Sequence, residues 1–285
     1  MNVFDTTNCI LGEGPLWHPE RQSLFWFDIL SKRVLMKEDN QLRDWNFETC
    51  VSAAGWVSAD QILIASEIEL FILDITTGKT DTVVALEKEK LETSSNDGRA
   101  DHFGGFWIGT MGKAAQTGAG AIYRYFKGEL RTLISNITIS NAICFSPNGD
   151  AAYFADTSQQ IIHRWRLSAK DGWPIGDPEP FIDLRADNIH PDGAVVDQSG
   201  CLWNAQWGSG RVARYSPEGV YLDHIQCPAS QSSCPAFGGE TLTSLFVTSA
   251  AIGVNEPQAG QTFLTRSEAA LHIAITITPD RKSVV

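Results

Sequence analysis

The sequence predicts an all-β protein: a six-bladed β-propeller of four-stranded antiparallel blades, closed by its N-terminal strand. Three observations carry that prediction. One apolar, strand-like run recurs six times, most copies lead through a short turn into a second strand, and helical periodicity is scarce.

The first copy, SLFWFDI (23–29), has an apolar centre, ends on small or polar residues, and is followed by RVLMK. QILIASE (61–67) leads to ELFILDITTG, and GFWIGTM (105–111) leads to AIYRYFKGEL. AYFADT (152–157) leads to IIHRWRL, CLWNAQW (201–207) leads to RVARYSPEG, and SLFVTSA (244–250) is the sixth. Between the central residues Trp26, Ile64, Trp107, Phe154, Trp203 and Phe246 the steps are 38, 43, 47, 49 and 43 residues. Units of that length cannot bury their faces singly, whereas blades stacked around an axis can. Six four-stranded blades in 285 residues leave about 12 residues per strand and turn, the spacing expected of an all-β fold. NVFDT, at the N-terminus, is expected to pair with the last blade and close the ring. ALEKEKLETS (85–94) is the one helix-friendly stretch, short and polar. In the tail after about residue 268, HIAITIT (272–278) alternates like a strand but lies past the repeat. On this reading residues 1–285 form one propeller domain.

Composition narrows the function. A hydrophobic fraction of 43%, with 9 Trp and 14 Phe, is ample for a core. The net charge of −12, without a Lys/Arg cluster, argues against nucleic-acid binding. No run approaches the roughly 20 apolar residues that span a bilayer, so no membrane partner is expected. MNVFDTTNC lacks the basic start and apolar stretch of a signal peptide, and the expected location is cytoplasmic. The cysteines (9, 50, 144, 201, 227 and 234) include no C-x-x-C pair. Cys144 and Cys201, in apolar runs, read as buried thiols. Only Cys227 and Cys234 are close enough in sequence to suggest a bridge, and their pairing stays open.

The polar residue that opens each blade is more informative. Glu13 precedes Trp26 by 13 residues, Asn96 precedes Trp107 by 11, Asn141 precedes Phe154 by 13, and Asp192 precedes Trp203 by 11. Equivalent positions on innermost strands converge on the propeller axis, so these four side chains should meet there. Blade two (AAGWVSADQIL) and blade six (AFGGETLTSLF) offer small or apolar residues at the comparable point, leaving room for a ligand. Carboxylates and amide oxygens are hard donors suited to Ca²⁺, Mg²⁺ or Mn²⁺, and two carboxylates in a dry channel repel unless a cation lies between them. Taken alone, N-D-G and P-D-G are ordinary turn sequences; the shared register is what points to a metal. Gly12 and Gly14 would let the backbone bend sharply beside Glu13.

LGEGPLWHP, SSNDGRADHFGGFWIGTM, SNAICFSPNGDAAYFADT, HPDGAVVDQSGCLW and FGGETLTSLFVTSA resemble, in order and spacing, motifs of the regucalcin and gluconolactonase family of sugar-lactone lactonases. The resemblance covers roughly residues 10 to 265. It implies a six-bladed propeller with one divalent cation on the axis, Ca²⁺ first and Zn²⁺, Mn²⁺ or Mg²⁺ as alternatives. Carried over by position, it makes Glu13, Asn141 and Asp192 the metal ligands, with Asp192 also the proton-transfer residue. Asn96 would touch the substrate or a bound water. Two departures mark the substrate wall: Ser94 stands where family members often carry Arg, and Ala114 falls near a Glu position of regucalcin.

The implied reaction is hydrolysis of a small-molecule sugar lactone to its hydroxy acid, with Asp192 as general base. Competing readings are an esterase or phosphotriesterase using the same metal, and a calcium-binding or scaffold propeller without catalysis. The six histidines show no zinc spacing and no G-x-S-x-G is present. His18 and His102 read as turn residues, whereas His190 could reach the channel mouth. Trp17 and Trp207 could stack on a sugar, with blade packing as the bland alternative. TGAGAI (117–122) reads as a hairpin turn.

Overall fold

The structure is a computed structural model that describes residues 1–267. The HIAITIT segment therefore lies outside the described residues. Six four-stranded antiparallel sheets form six blades in a ring, a six-bladed β-propeller. The innermost strands are Gly12–His18, Val51–Ser58, Thr93–Ala100, Ser140–Phe145, His190–Val196 and Ser232–Gly238, each packed on its neighbour around the axis.

All six recurring runs form the second strand of a blade, from Ser23–Asp28 to Ser244–Ser249. These strands are covered on both faces, which is why they read as continuous apolar runs. Ser23–Asp28, for example, is buried at every position. Phe25, Phe27 and Met36 of blade one pack on Ile62, Ile64 and Phe71 of blade two. Burying each such side chain stabilises the fold by about 1.5–3 kcal/mol. Trp26 of blade one packs with Phe246 of blade six, so the apolar contacts cross the seam of the ring. Asn2–Asp5 completes that seam as the outermost strand of blade six, antiparallel to Thr262–Arg266. The N-terminal strand is thus tied into the last blade by a ladder of hydrogen bonds, as expected.

ALEKEKLETS forms no helix: Ala85 ends a strand, Thr93 starts the next, and turns join them. No α-helix occurs among the described residues, and no helix there is long and apolar enough to cross a membrane. All six cysteines are free thiols, Cys227 and Cys234 included.

A buried acid organises the turn after two innermost strands. Asp101 accepts hydrogen bonds from Phe103 N (2.9 Å), Gly105 N (2.9 Å), Trp107 Nε1 (3.2 Å) and Arg124 Nε (2.7 Å). Asp197 repeats this with Ser199 N, Cys201 N and Trp203 Nε1, and Arg214 lies at 3.6 Å. Arg124 is fully buried, its guanidinium 4.3 Å from the Phe126 ring centre and 4.5 Å from that of Trp173. His18 and His102 serve turns, as the sequence suggests. His18 Nε2 donates to Ser58 O (2.9 Å) while Nδ1 accepts from Arg21 N, and His102 Nε2 lies 3.0 Å from Pro147 O.

Candidate functional site

Every innermost strand carries a β-bulge that begins in its N-terminal half. The register slips between Glu13 and Leu16, Val51 and Ala53, Ser95 and Gly98, Asn141 and Cys144, Pro191 and Ala194, and Ser232 and Pro235. A bulge inserts an extra residue, breaks the in/out alternation and re-aims side chains. Here it acts six times, once near the start of each innermost strand. Local sequence allows it: Gly14 has φ +53°, and a Cβ there would collide with the Ser52 carbonyl oxygen. Ala142 adopts φ +57° beside Asn141, a strained conformation for a residue with a Cβ.

The bulges gather the residues expected from sequence. Glu13, Asn96, Asn141 and Asp192 are all buried. Asn96 Nδ2 donates to Ser140 O (2.8 Å) and to Asn141 Oδ1 (3.2 Å). Asn141 Nδ2 donates to Thr157 Oγ1 (2.8 Å), and that hydroxyl donates to Pro191 O (2.7 Å), one residue before Asp192. This chain links blades three, four and five and fixes which end of each amide is oxygen. Asn204 Nδ2 holds the backbone of the fifth bulge through Asp192 O (2.9 Å) and Gly193 O (3.2 Å).

Asp97 is not among the residues expected from the sequence. Its Oδ2 accepts from Ile143 N (2.6 Å), and it is buried beside Asn96 in the third bulge. Arg99 was also missed; its Nε donates to Ile143 O (3.1 Å) and its Nη2 to Ala194 O (3.1 Å), bracing blades three to five. The signal for Asp97 was its place as the Asp of N-D-G itself, and for Arg99 its place directly after that motif. Blade six contributes Ser233 and Cys234 at its bulge, so the comparable point lies two to three residues before AFGG and not within it. Ser233 Oγ donates to Gly12 O (2.5 Å) across the seam.

Three carboxylates in one dry channel disturb one another. Burial pushes the Glu13 carboxyl up, to about 8, and the charge of Asp97 adds to the rise. Burial likewise holds Asp192 well above the usual carboxylate range, reinforced by Glu13 and then Asp97. Asp97 is raised by burial, partly offset by Arg99. Among the described residues none of the three forms an ion pair with Lys, Arg or His. Nor do three or more His, Cys, Asp or Glu side chains form a metal-binding group there. The donor set instead mixes the Glu13 and Asp192 carboxylates with the Asn141 amide oxygen, whose nitrogen end is occupied by Thr157. Hard oxygens, uncompensated negative charge and a pinned amide fit a divalent cation of the Ca²⁺ or Mg²⁺ type.

This clustering sets the sign of a pH effect. A carboxyl whose folded pKa lies above its unfolded value binds protons more tightly when folded, so stability falls as pH rises between the two values. For Glu13 that window runs from 4.5 to about 8. Chelator-treated protein is therefore expected to melt at progressively lower temperature across that window, and Glu13→Gln should flatten the trend. A melting temperature equally pH-sensitive in both proteins would contradict the clustering.

Around the mouth, Ser94 is buried and its Oγ donates to Ser95 O (3.2 Å). Lys113, next to Ala114, pairs with Glu67 at 2.5 Å. His190 and Trp207 are partners in the fifth blade, both partly exposed. Trp17 stacks on Phe246 at 5.6 Å and 15°, so it serves packing.

Residues 11–251 match the family described as SMP-30/Gluconolactonase/LRE-like region. The chain is 34% identical over 282 residues to an L-arabinolactonase of Azospirillum brasilense, covering 94% of this chain and 92% of that one. It is 33% identical over 245 residues to a 6-deoxy-6-sulfogluconolactonase of Pseudomonas putida, covering 84% and 83%. A crystal structure of a calcium-binding protein, regucalcin, from Agrobacterium tumefaciens superposes with a TM-score of 0.95 at 37% identity, covering 97% of this chain and 96% of the other.

Proposed function

This chain belongs to the SMP-30/gluconolactonase/LRE-like family, and on that premise we propose that it is a metal-dependent hydrolase opening sugar lactones to aldonic acids. The carrying observation is the placement of Glu13, Asn141 and Asp192 at matching bulges, with buried carboxylates that lack an ion-pair partner among the described residues. The lactonases among its relatives supply the substrate class.

Glu13, Asn141 and Asp192 would hold the cation, with calcium first and zinc, manganese or magnesium as alternatives. Such an ion, when bound, polarises a carbonyl and stabilises developing negative charge on its oxygen. Asp192 acts as general base: its carboxylate takes a proton from water as the water oxygen bonds to the lactone carbonyl carbon. The bond from that carbon to the ring oxygen then breaks. Asp192 returns the proton to the departing oxygen, leaving a hydroxy acid. Both hydrogens of Asn96 Nδ2 are committed to Ser140 and Asn141, so its Oδ1 is the end that can accept from a substrate hydroxyl. Ser94 gives the wall a small, neutral surface that leaves room for the sugar. Six free thiols support a reducing, cytoplasmic setting.

Acid release from glucono-, xylono- and arabinolactone, measured by pH-stat with and without chelator, tests this reading. The expected result is turnover of at least one lactone, lost on chelation and restored by added metal. Faster turnover of an aryl ester or a phosphotriester would favour those substrates instead. Metal uptake without any turnover would overturn the proposal in favour of a binding propeller.

A further inference from the structure

Beyond the bulges, toward the C-terminal ends of the innermost strands, the channel widens into a cavity of about 410 Å³. Glu13, Asn141 and Asp192 do not line it; Asp97 is its one residue in common with the carboxylate cluster. The wall is largely apolar, with Trp17, Phe145, Val195, Phe237 and Leu242 facing in. Stacking on Phe246 fixes the Trp17 ring as part of that wall.

Among the described residues, Arg99 brings a cation to this space. Arg99 lines the cavity and is half-buried, its guanidinium held by the carbonyls of Ile143 and Ala194. Those bonds use Nε and Nη2. Nη1 donates to no protein group among the described residues, and no carboxylate there lies within ion-pair distance of Arg99. A guanidinium held in place by two carbonyls, with the buried Asp97 nearby but outside ion-pair distance, and set in a largely apolar chamber, is suited to a carboxylate carried on a hydrocarbon body. A sugar would leave its hydroxyls facing Val195, Phe145 and Phe237 without partners. A phosphate dianion would find one free nitrogen and the nearby Asp97.

We propose that this cavity is a second binding site, which takes an amphipathic monocarboxylate with its carboxylate on Arg99 and its apolar body between Trp17, Phe145 and Phe237. The probe is 2-naphthoate, titrated into the full chain by calorimetry, with 2-naphthalenemethanol as its uncharged counterpart. Wild-type protein is expected to bind naphthoate one-to-one. Arg99→Met should weaken naphthoate by about tenfold or more, the scale of a hydrogen bond to a charged group, with little effect on the alcohol. Arg99→Lys should restore most of the loss. Absence of naphthoate binding to wild type, or equal binding by a cooperatively folded Arg99→Met variant, would overturn the proposal. So would displacement of naphthoate by gluconate, a product of the reaction proposed above, because that would put the probe at the carboxylate cluster. Should Arg99→Met fail to fold, Ala236→Phe fills the cavity from blade six and leaves Arg99 in the sequence. It is expected to abolish binding of both probes, and unchanged naphthoate binding there would equally defeat the proposal.

Discussion

Asp192→Asn is expected to lower lactone turnover by about 1,000-fold, within the range that a positioned general base contributes. The amide keeps the shape of the side chain but cannot take a proton from water, and it offers one hard oxygen in place of two. The same substitution should raise the melting temperature of chelator-treated protein. It removes a buried charge whose ionisation is opposed by desolvation, Glu13 and Asp97. A residue serving only the fold would move stability down and leave turnover alone. Initial rates on the best lactone and thermal melts in chelator measure both signs. Turnover within tenfold of wild type would remove Asp192 from the proton-transfer role.

The largest expected effect on stability lies elsewhere. Asp101→Ala strips the fully buried Arg124 of its carboxylate partner, and an uncompensated buried charge costs about 3–5 kcal/mol. It also frees the Trp107 indole N–H and two turn amides. Denaturant unfolding should show that loss, and Asp101→Ala combined with Arg124→Met should recover a large part of it. If the single variant lost less than about 1 kcal/mol, a typical single-site effect, the buried pair would not anchor blade three. No change in the metal affinity of folded protein is expected, because Asp101 sits at the turn beyond the channel.

The fold was legible because its determinants are local and repeated. Trp26, Ile64, Trp107, Phe154, Trp203 and Phe246 mark the second strands correctly, since a strand covered on both faces must be apolar along its length. NVFDT could be assigned to the seam because a closed ring leaves one strand short. ALEKEKLETS shows the limit of the same reasoning: its helix-friendly residues are drawn into a turn between two ladders, where tertiary pairing outweighs propensity.

The chemistry-bearing residues were legible only in part. Glu13, Asn141 and Asp192 stand 13, 13 and 11 residues before their markers, each opening its blade, so counting found them. Asp97 escaped because a regular strand would send Asn96 and Asp97 to opposite faces, and only the bulge opposite Gly109 lets both be buried at the channel. Arg99 escaped for a related reason: its partners are the carbonyls of Ile143 and Ala194, in blades four and five.

By itself, then, the sequence determined the number of blades, their order and the residues that open them, because hydrophobic period and turn chemistry act over a few neighbouring positions. Tertiary structure alone decided which carboxylates share one dry space, how far each resists ionisation, and where a lone guanidinium faces an apolar chamber. Those properties depend on distance and burial across blades, and neither is written into any single stretch of chain.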